Sequence, residues 1–174
     1  MCAICEFKIE FSIGHPLALS VAVATRKAID AGLIDEMDTD DGALSAARKR
    51  MSAVETLNLL QAQIEDAHSE EALLELPDFY VLLIENDTWG FFHATTNGFD
   101  PDIVPGMPDV TATDEVRRSN VVITSEAALR GWLSGDFDIE YAFRESLFVV
   151  DAPQVPTASL WEMFTTTELA AQDN

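Results

Sequence analysis

The chain carries only two cysteines, ten basic residues and three histidines, and it has no apolar run long enough to cross a bilayer. Each scarcity removes a class of protein. Two cysteines cannot build a disulfide framework, which points to a reducing compartment. Ten bases against 31 acids leave a net charge of −21. Such a surface repels phosphate backbones and anionic lipid headgroups, so neither nucleic acid nor a membrane surface is an expected partner. The acidity suits a basic protein partner, or serves solubility or adaptation to high salt. The apolar stretch LALSVAVA (17–24) is too short to span a membrane, and Arg26, Lys27 and Asp30 follow it closely. Glu6 and Glu10 precede it where a secretory signal has basic residues. The expectation is a cytoplasmic protein with no stable membrane insertion. Catalytic signatures are missing as well: there is no G-x-S-x-G, no P-loop, no G-x-G-x-x-G and no Ser–His–Asp order. No catalytic residue and no cofactor is assigned. The enzyme question stays open and leans towards no.

What is present is a core. Hydrophobic residues make up 48% of 174 positions, enough for one domain, or one domain with an N-terminal addition. CEFKIEFSI (5–13) alternates strictly, which is the period of a half-buried strand. Pro16 fits the first turn of a helix running to about Ala31, with Gly32 as its stop. Its first two turns are apolar almost all round, which predicts deep burial. DEMDTDDG (35–42) has the look of a calcium loop. Aligning Gly42 with the loop glycine, however, puts Met37 and Thr39 at ligand positions and Arg48 where the bidentate Glu belongs. Asp40 or Asp41 reads better as an N-cap. The longest helix should cover 43–67, with Leu44, Ala47, Met51, Val54, Leu57, Leu60 and Ile64 as its buried stripe.

Ser69 then opens a short helical turn that ends before Pro77. DFYVLLIE (78–85) and WGFFHATT (89–96), joined by a polar turn, predict a β-hairpin in which Trp89, Phe91, His93 and Thr95 share a face. Residues 97–119 are rich in proline and glycine and read as irregular. Beyond them the pattern predicts a strand at 119–125, a helix at 126–136 capped by Ser125 or Thr124, a short helix at 138–145, a strand at 146–153 and a helix at 157–164. The tail should be frayed.

Cys2, Cys5 and His15 are the one candidate metal or thiol-redox set. A zinc site needs four ligands, usually in two close pairs, and the second pair is missing. In an extended strand, Cα atoms three residues apart stand about 10 Å from each other, whereas a disulfide needs roughly 4.4–6.8 Å. Cys5 also falls in register with Phe7, Ile9, Phe11 and Ile13, where a core cysteine is the ordinary occupant. His93 beside Trp89 and Phe91 reads as a core or rim residue, and His68 as a solvated helix end.

The stretch SNVVITSEAALRGWLSGDFDIEYAFRESLFVV (119–150) resembles the C-terminal part of sterol carrier protein-type lipid-binding domains. Val121, Val122 and Ile123 match that family's strand. Leu129, Trp132, Leu133 and Gly135 match its "LLxLLxG" helix and stop, and Ala142 with Phe143 matches its "AF" helix. The hairpin and the closing helix, with Leu160, Trp161 and Phe164, fall in the family's order, so the resemblance spans about residues 78–164. The positions flanking the last strand, usually glycine in that family, are Ser146 and Ala152 here. The resemblance implies a sheet packed on helices around an apolar tunnel that takes a sterol, fatty acid, acyl-CoA or similar ligand without chemistry. Phe91, Trp132, Phe143 and Phe148 would be wall residues.

These readings combine into an α+β protein with a mixed or mainly antiparallel sheet packed against several helices. Residues 1–77 supply an N-terminal strand and helices on the same core, 78–164 the sterol carrier protein-like unit and 165–174 the frayed tail. The expected function is non-enzymatic binding of a small apolar ligand. The first alternative is an acidic protein–protein interaction or regulatory subunit, with a homodimer through helix 43–67 or a basic protein as partner. The second is a metal or thiol-redox protein through Cys2, Cys5 and His15.

Overall fold

The computed structural model describes residues 14–37 and 43–172. The alternating segment 5–13, both cysteines and the Asp40/Asp41 cap lie outside the described residues. Within them the order is α1 (Ala18–Asp30), α2 (Ala43–Ala67), α3 (Glu70–Leu74), β1 (Phe79–Leu83), β2 (Thr88–Phe92), β3 (Ala94–Thr95), β4 (Gly98–Phe99), β5 (Val121–Thr124), α4 (Glu126–Ser134), α5 (Ile139–Arg144), β6 (Phe148–Asp151) and α6 (Gln154–Gln172). The fold is α+β, and its main sheet is mixed, in the order β2-β1-β5-β6. β1 runs antiparallel to β2 and parallel to β5, and β5 runs antiparallel to β6. β3 and β4 form a separate two-stranded ribbon.

Strand periodicity divides the core into two layers. Phe79, Val81, Leu83, Phe92, Val122 and Phe148 face the helices, where they pack with Leu57, Leu60 and Ile64 of α2, Leu129 and Trp132 of α4, and Leu160 and Phe164 of α6. Tyr80, Leu82, Trp89, Val121 and Ile123 point to the other face, where Val21 of α1 and Val110 of the 100–120 connection meet them. β1 is buried at every position, as a strand covered on both faces must be.

The boundaries follow local chemistry. Ser69, Ser125 and Asp138 each turn a side-chain oxygen onto an amide of the helix they precede. α4 ends where Gly135 takes a left-handed conformation, φ 79°. Within α4, Gly131 lets the helix sit close to its neighbours: a Cβ there would lie 2.8 Å from Ile34 Cγ2 and 2.9 Å from Phe137 Cε1.

Several expectations need correction. α1 buries one stripe, Val21, Ala24, Thr25 and Ala28, while Leu19 is 75% exposed and Val23 49%. An apolar run on a surface helix is therefore not deeply buried here. In α2 the buried residues are Ala53, Thr56, Leu57, Leu60 and Ile64. Leu44, Ala47 and Met51 face solvent, because the buried stripe of α2 begins only at Ala53. The second hairpin strand stops at Phe92. The tail expected to fray from residue 165 continues α6 to Gln172, with Thr167 buried.

Candidate functional site

The structure brings three of the four expected wall residues together. Trp132, Phe143 and Phe148 pack edge-to-face with Phe164, at ring-centroid distances of 5.5 to 6.1 Å. Phe143 also stacks on Trp161 at 4.8 Å. These separations are those of close-packed aromatic contact, so the rings fill the space between them. Phe91 lies on the opposite face of the sheet, where it packs against Tyr80 and stacks over His93.

Among the described residues, open space lies beside this cluster. A cleft of about 470 Å³ runs between α1 and the α5–β6 turn. One wall is Leu19, Ser20, Val23, Ala24, Lys27 and Ala28, one face of α1. The other is Tyr141, Glu145, Ser146 and Leu147. The apolar side chains left exposed on α1 are thus the ones that line it. Ser146 adopts φ 61°, a left-handed conformation that costs a residue with a Cβ of order 1–2 kcal/mol. It does so because α5 ends there: Ser146 N donates to Phe143 O, and Leu147 N donates to Ala142 O at 2.8 Å. A smaller cleft of about 270 Å³ is bordered by Trp132, Phe137, Asp138 and Glu168.

His15, the only described member of the metal alternative, is buried and already engaged. The Leu17 amide donates to its Nδ1 at 3.1 Å, which places the proton of the neutral ring on Nε2. Nε2 lies 3.0 Å from Asp151 Oδ2. Asp151 also pairs with Arg118 through Oδ1. Loss of water lowers the His15 pKa from its ordinary 6.5; Asp151 opposes this and Arg118 adds to it. The residue is 5% exposed, and within the described fold its side chain is closed off from solvent. The trio clamps the lead into α1, the end of the 100–120 connection and β6.

A second polar cluster ties α2 to α4. Buried Glu126 accepts at Oε1 from Ser52 Oγ at 2.5 Å, Thr56 Oγ1 at 3.0 Å and Arg130 Nε at 3.1 Å. Next to it, Thr25 Oγ1 donates to Ser125 Oγ. The Glu85 carboxylate accepts from the Glu126 and Ala127 amides at 2.7 and 3.1 Å, capping α4 from another element. Glu85 is exposed as a whole residue, but its carboxylate is lodged under the helix. Loss of water pushes its pKa up, and the two amides pull it down. Glu126, Asp151 and Glu168 are the residues a reading of the sequence misses: each is one acid among 31, and only the fold buries the first two and sets the half-buried third against Trp132 and Ile139.

Among the described residues there is no group of three or more His, Cys, Asp or Glu side chains placed to hold a metal ion. No described helix is long and apolar enough to cross a membrane. Compared with known protein families, curated proteins and solved structures, the chain matches none.

Proposed function

We propose that the protein is a non-enzymatic binding module for a small apolar ligand, working in an aqueous, reducing compartment such as the cytoplasm, and that the ligand enters the cleft between α1 and the α5–β6 turn. The observation that carries this reading is the wall of that cleft. Leu19 and Val23 are large apolar side chains left in water on a helix that has a buried stripe available. A volume of about 470 Å³ falls within the range of small-molecule sites, roughly 300–1,000 Å³, and such sites are apolar with a few polar groups. Here Ser20, Lys27 and Tyr141 supply the polar groups. The order of elements from β5 through a Ser-capped α4, an α5 carrying Ala142 and Phe143, and β6 to α6 also supports the sterol carrier protein-like reading. The cluster of Trp132, Phe143 and Phe148 then serves as packing behind the site.

The test is titration of the full chain with an environment-sensitive apolar fluorophore, followed by amide NMR. Shifts should concentrate on residues 19–28 and 141–147. A Val23→Trp variant, which fills the cleft from its exposed wall, should weaken binding at least tenfold while keeping the wild-type melting temperature. Undiminished binding by that variant, or shifts confined to other surfaces, would overturn the assignment.

A further inference from the structure

We infer that the solvent-facing side of α2 is a self-association surface, on which a second copy of this chain packs its own α2 in antiparallel orientation. α2 turns Leu57, Leu60 and Ile64 inward, and its opposite side carries an apolar row that nothing in the described fold covers. Leu44 is 79% exposed, Met51 70% and Leu59 48%. The intervals are seven and eight residues, so the three fall on one side of a helix with 3.6 residues per turn.

Charge decides the occupant and its direction. In a chain of net charge −21, α2 carries the cationic run Arg48, Lys49 and Arg50 in its first half, and Glu55, Glu65 and Asp66 follow in its second. A parallel partner helix would set Arg48 on Arg48. An antiparallel partner related by a twofold axis near Met51 and Ser52 instead sets Arg48 opposite Glu55 of the second copy. It also sets Leu44 opposite Leu59 of the second copy, and each contact is made twice by symmetry. Arg48, Glu55, Leu44, Met51 and Leu59 all lie on this exposed side. Among the described residues Glu55 has only a distant ion-pair contact, 3.7 Å from Arg130, and its side chain stays 72% exposed. The seam from residue 44 to residue 59 is about 24 Å long at 1.5 Å per residue. That is the small end of specific interfaces, below about 1,200 Å² in total, so the dimer is weak and forms with rising concentration.

The experiment is sedimentation equilibrium of the full chain from micromolar to millimolar concentration at physiological ionic strength. The weight-average mass should climb from 19.1 kDa towards twice that value. Arg48→Glu sets a carboxylate against Glu55 of the other copy at both symmetric places in the seam and should raise the dissociation constant about tenfold. The double variant Arg48→Glu/Glu55→Arg restores both pairs with the signs exchanged and should recover most of the loss. Met51→Glu, at the axis, should leave a monomer with an unchanged melting temperature. A wild-type chain that stays monomeric throughout overturns the proposal. So does an Arg48→Glu variant that dimerises like wild type, or a double variant no better than the single one. This surface is separate from the α1 cleft, so its failure leaves the ligand reading untouched.

Discussion

The Glu168 carboxylate holds the Trp132 indole from 36 residues further along the chain: Trp132 Nε1 donates to Glu168 Oε1 at 3.1 Å, and the Ile139 amide donates to the same oxygen at 2.7 Å. Both donors are buried, so a truncated Glu168 leaves two of them without an acceptor. Hydrogen bonds to a charged acceptor contribute roughly 1.5–3 kcal/mol each when lost from buried sites. Glu168 itself is only half-buried, so water can replace part of what is lost, and Glu168→Ala should destabilise the fold by about 2–3 kcal/mol, less than the sum of two such bonds and a drop of roughly 5–10 °C in Tm for a chain of this size. Glu168→Gln keeps one acceptor oxygen and should cost about half as much. Thermal melts by circular dichroism decide this. Equal melting of Glu168→Ala and wild type would show that the end of α6 is not docked.

Glu126 makes a sharper case because it is 1% exposed and its Oε1 collects three donors. Removing one partner of a buried charged cluster costs roughly 3–5 kcal/mol, since the remaining polar groups lose their compensation. Arg130 is 38% exposed at its side chain and can rehydrate, which places Glu126→Ala at the lower end, about 3 kcal/mol. Ser52→Ala and Thr56→Ala should each cost about 1 kcal/mol. Their double-mutant cycles with Glu126→Ala should show coupling. Strict additivity in chemical denaturation would show that the four side chains do not act as one network.

How much of this was legible beforehand divides by range. The hairpin and the side-chain caps at Ser69 and Ser125 were legible because each is decided within a few residues; the cap at Asp138 was not read, though the short helix behind it was. The depth of α1 was not. LALSVAVA looks the same whether a helix is enclosed or lies on a surface, and only the packing of Val21 over the sheet reveals which. The end of α6 was missed because TTTELAAQ has weak helix formers at its start. In the fold Thr165 and Thr167 bond back to the carbonyls of Trp161 and Met163, and Thr167 is buried. The β1–β5 pairing and the His15–Asp151 contact join residues dozens to more than a hundred positions apart, where no local period carries information. Three of the expected ligand-wall aromatics cluster because they follow one another through α4, α5 and β6. Phe91 falls on the other side of the sheet because strand alternation assigns it there.

The clamp at His15 gives the fold a pH dependence whose sign is set by burial. Desolvation lowers the pKa of His15 in the folded protein below the ordinary 6.5 of an unfolded chain. Between the two values the unfolded state binds more protons than the folded one. Stability from this group is thus fully present above about pH 6.5 and is lost as pH falls towards the folded pKa. Protonation at Nδ1 also turns the acceptor of the Leu17 amide into a donor, so the lead into α1 loses a hydrogen bond. Melting temperatures from pH 8 to pH 5 should fall for wild type, and the fall should be shallower for His15→Gln, whose side chain does not titrate. Identical slopes would assign the acid lability to carboxylates elsewhere.

Ser146 occupies a place where glycine is the natural residue, and replacing it should make the protein more stable. With φ 61° its Cβ sits in the left-handed region, at a cost of about 1–2 kcal/mol relative to glycine. Glycine returns part of that gain, roughly 0.5–1 kcal/mol, because it enlarges the conformational freedom of the unfolded chain. The net expectation for Ser146→Gly is a stabilisation of about 0.5–1 kcal/mol, or a rise of roughly 2–3 °C in Tm. Ser146→Ala keeps the strained Cβ and removes only the hydroxyl, so it separates conformation from contact. If glycine raises the melting temperature and alanine leaves it unchanged, the strain is conformational. If both variants lower it, the hydroxyl contributes more than the strain costs. The cleft supplies a further readout, because Ser146 stands on its wall opposite Leu19 and Val23. A glycine variant that is more stable yet binds the apolar fluorophore more weakly would show that the unfavourable backbone is kept for the hydroxyl it presents to the ligand.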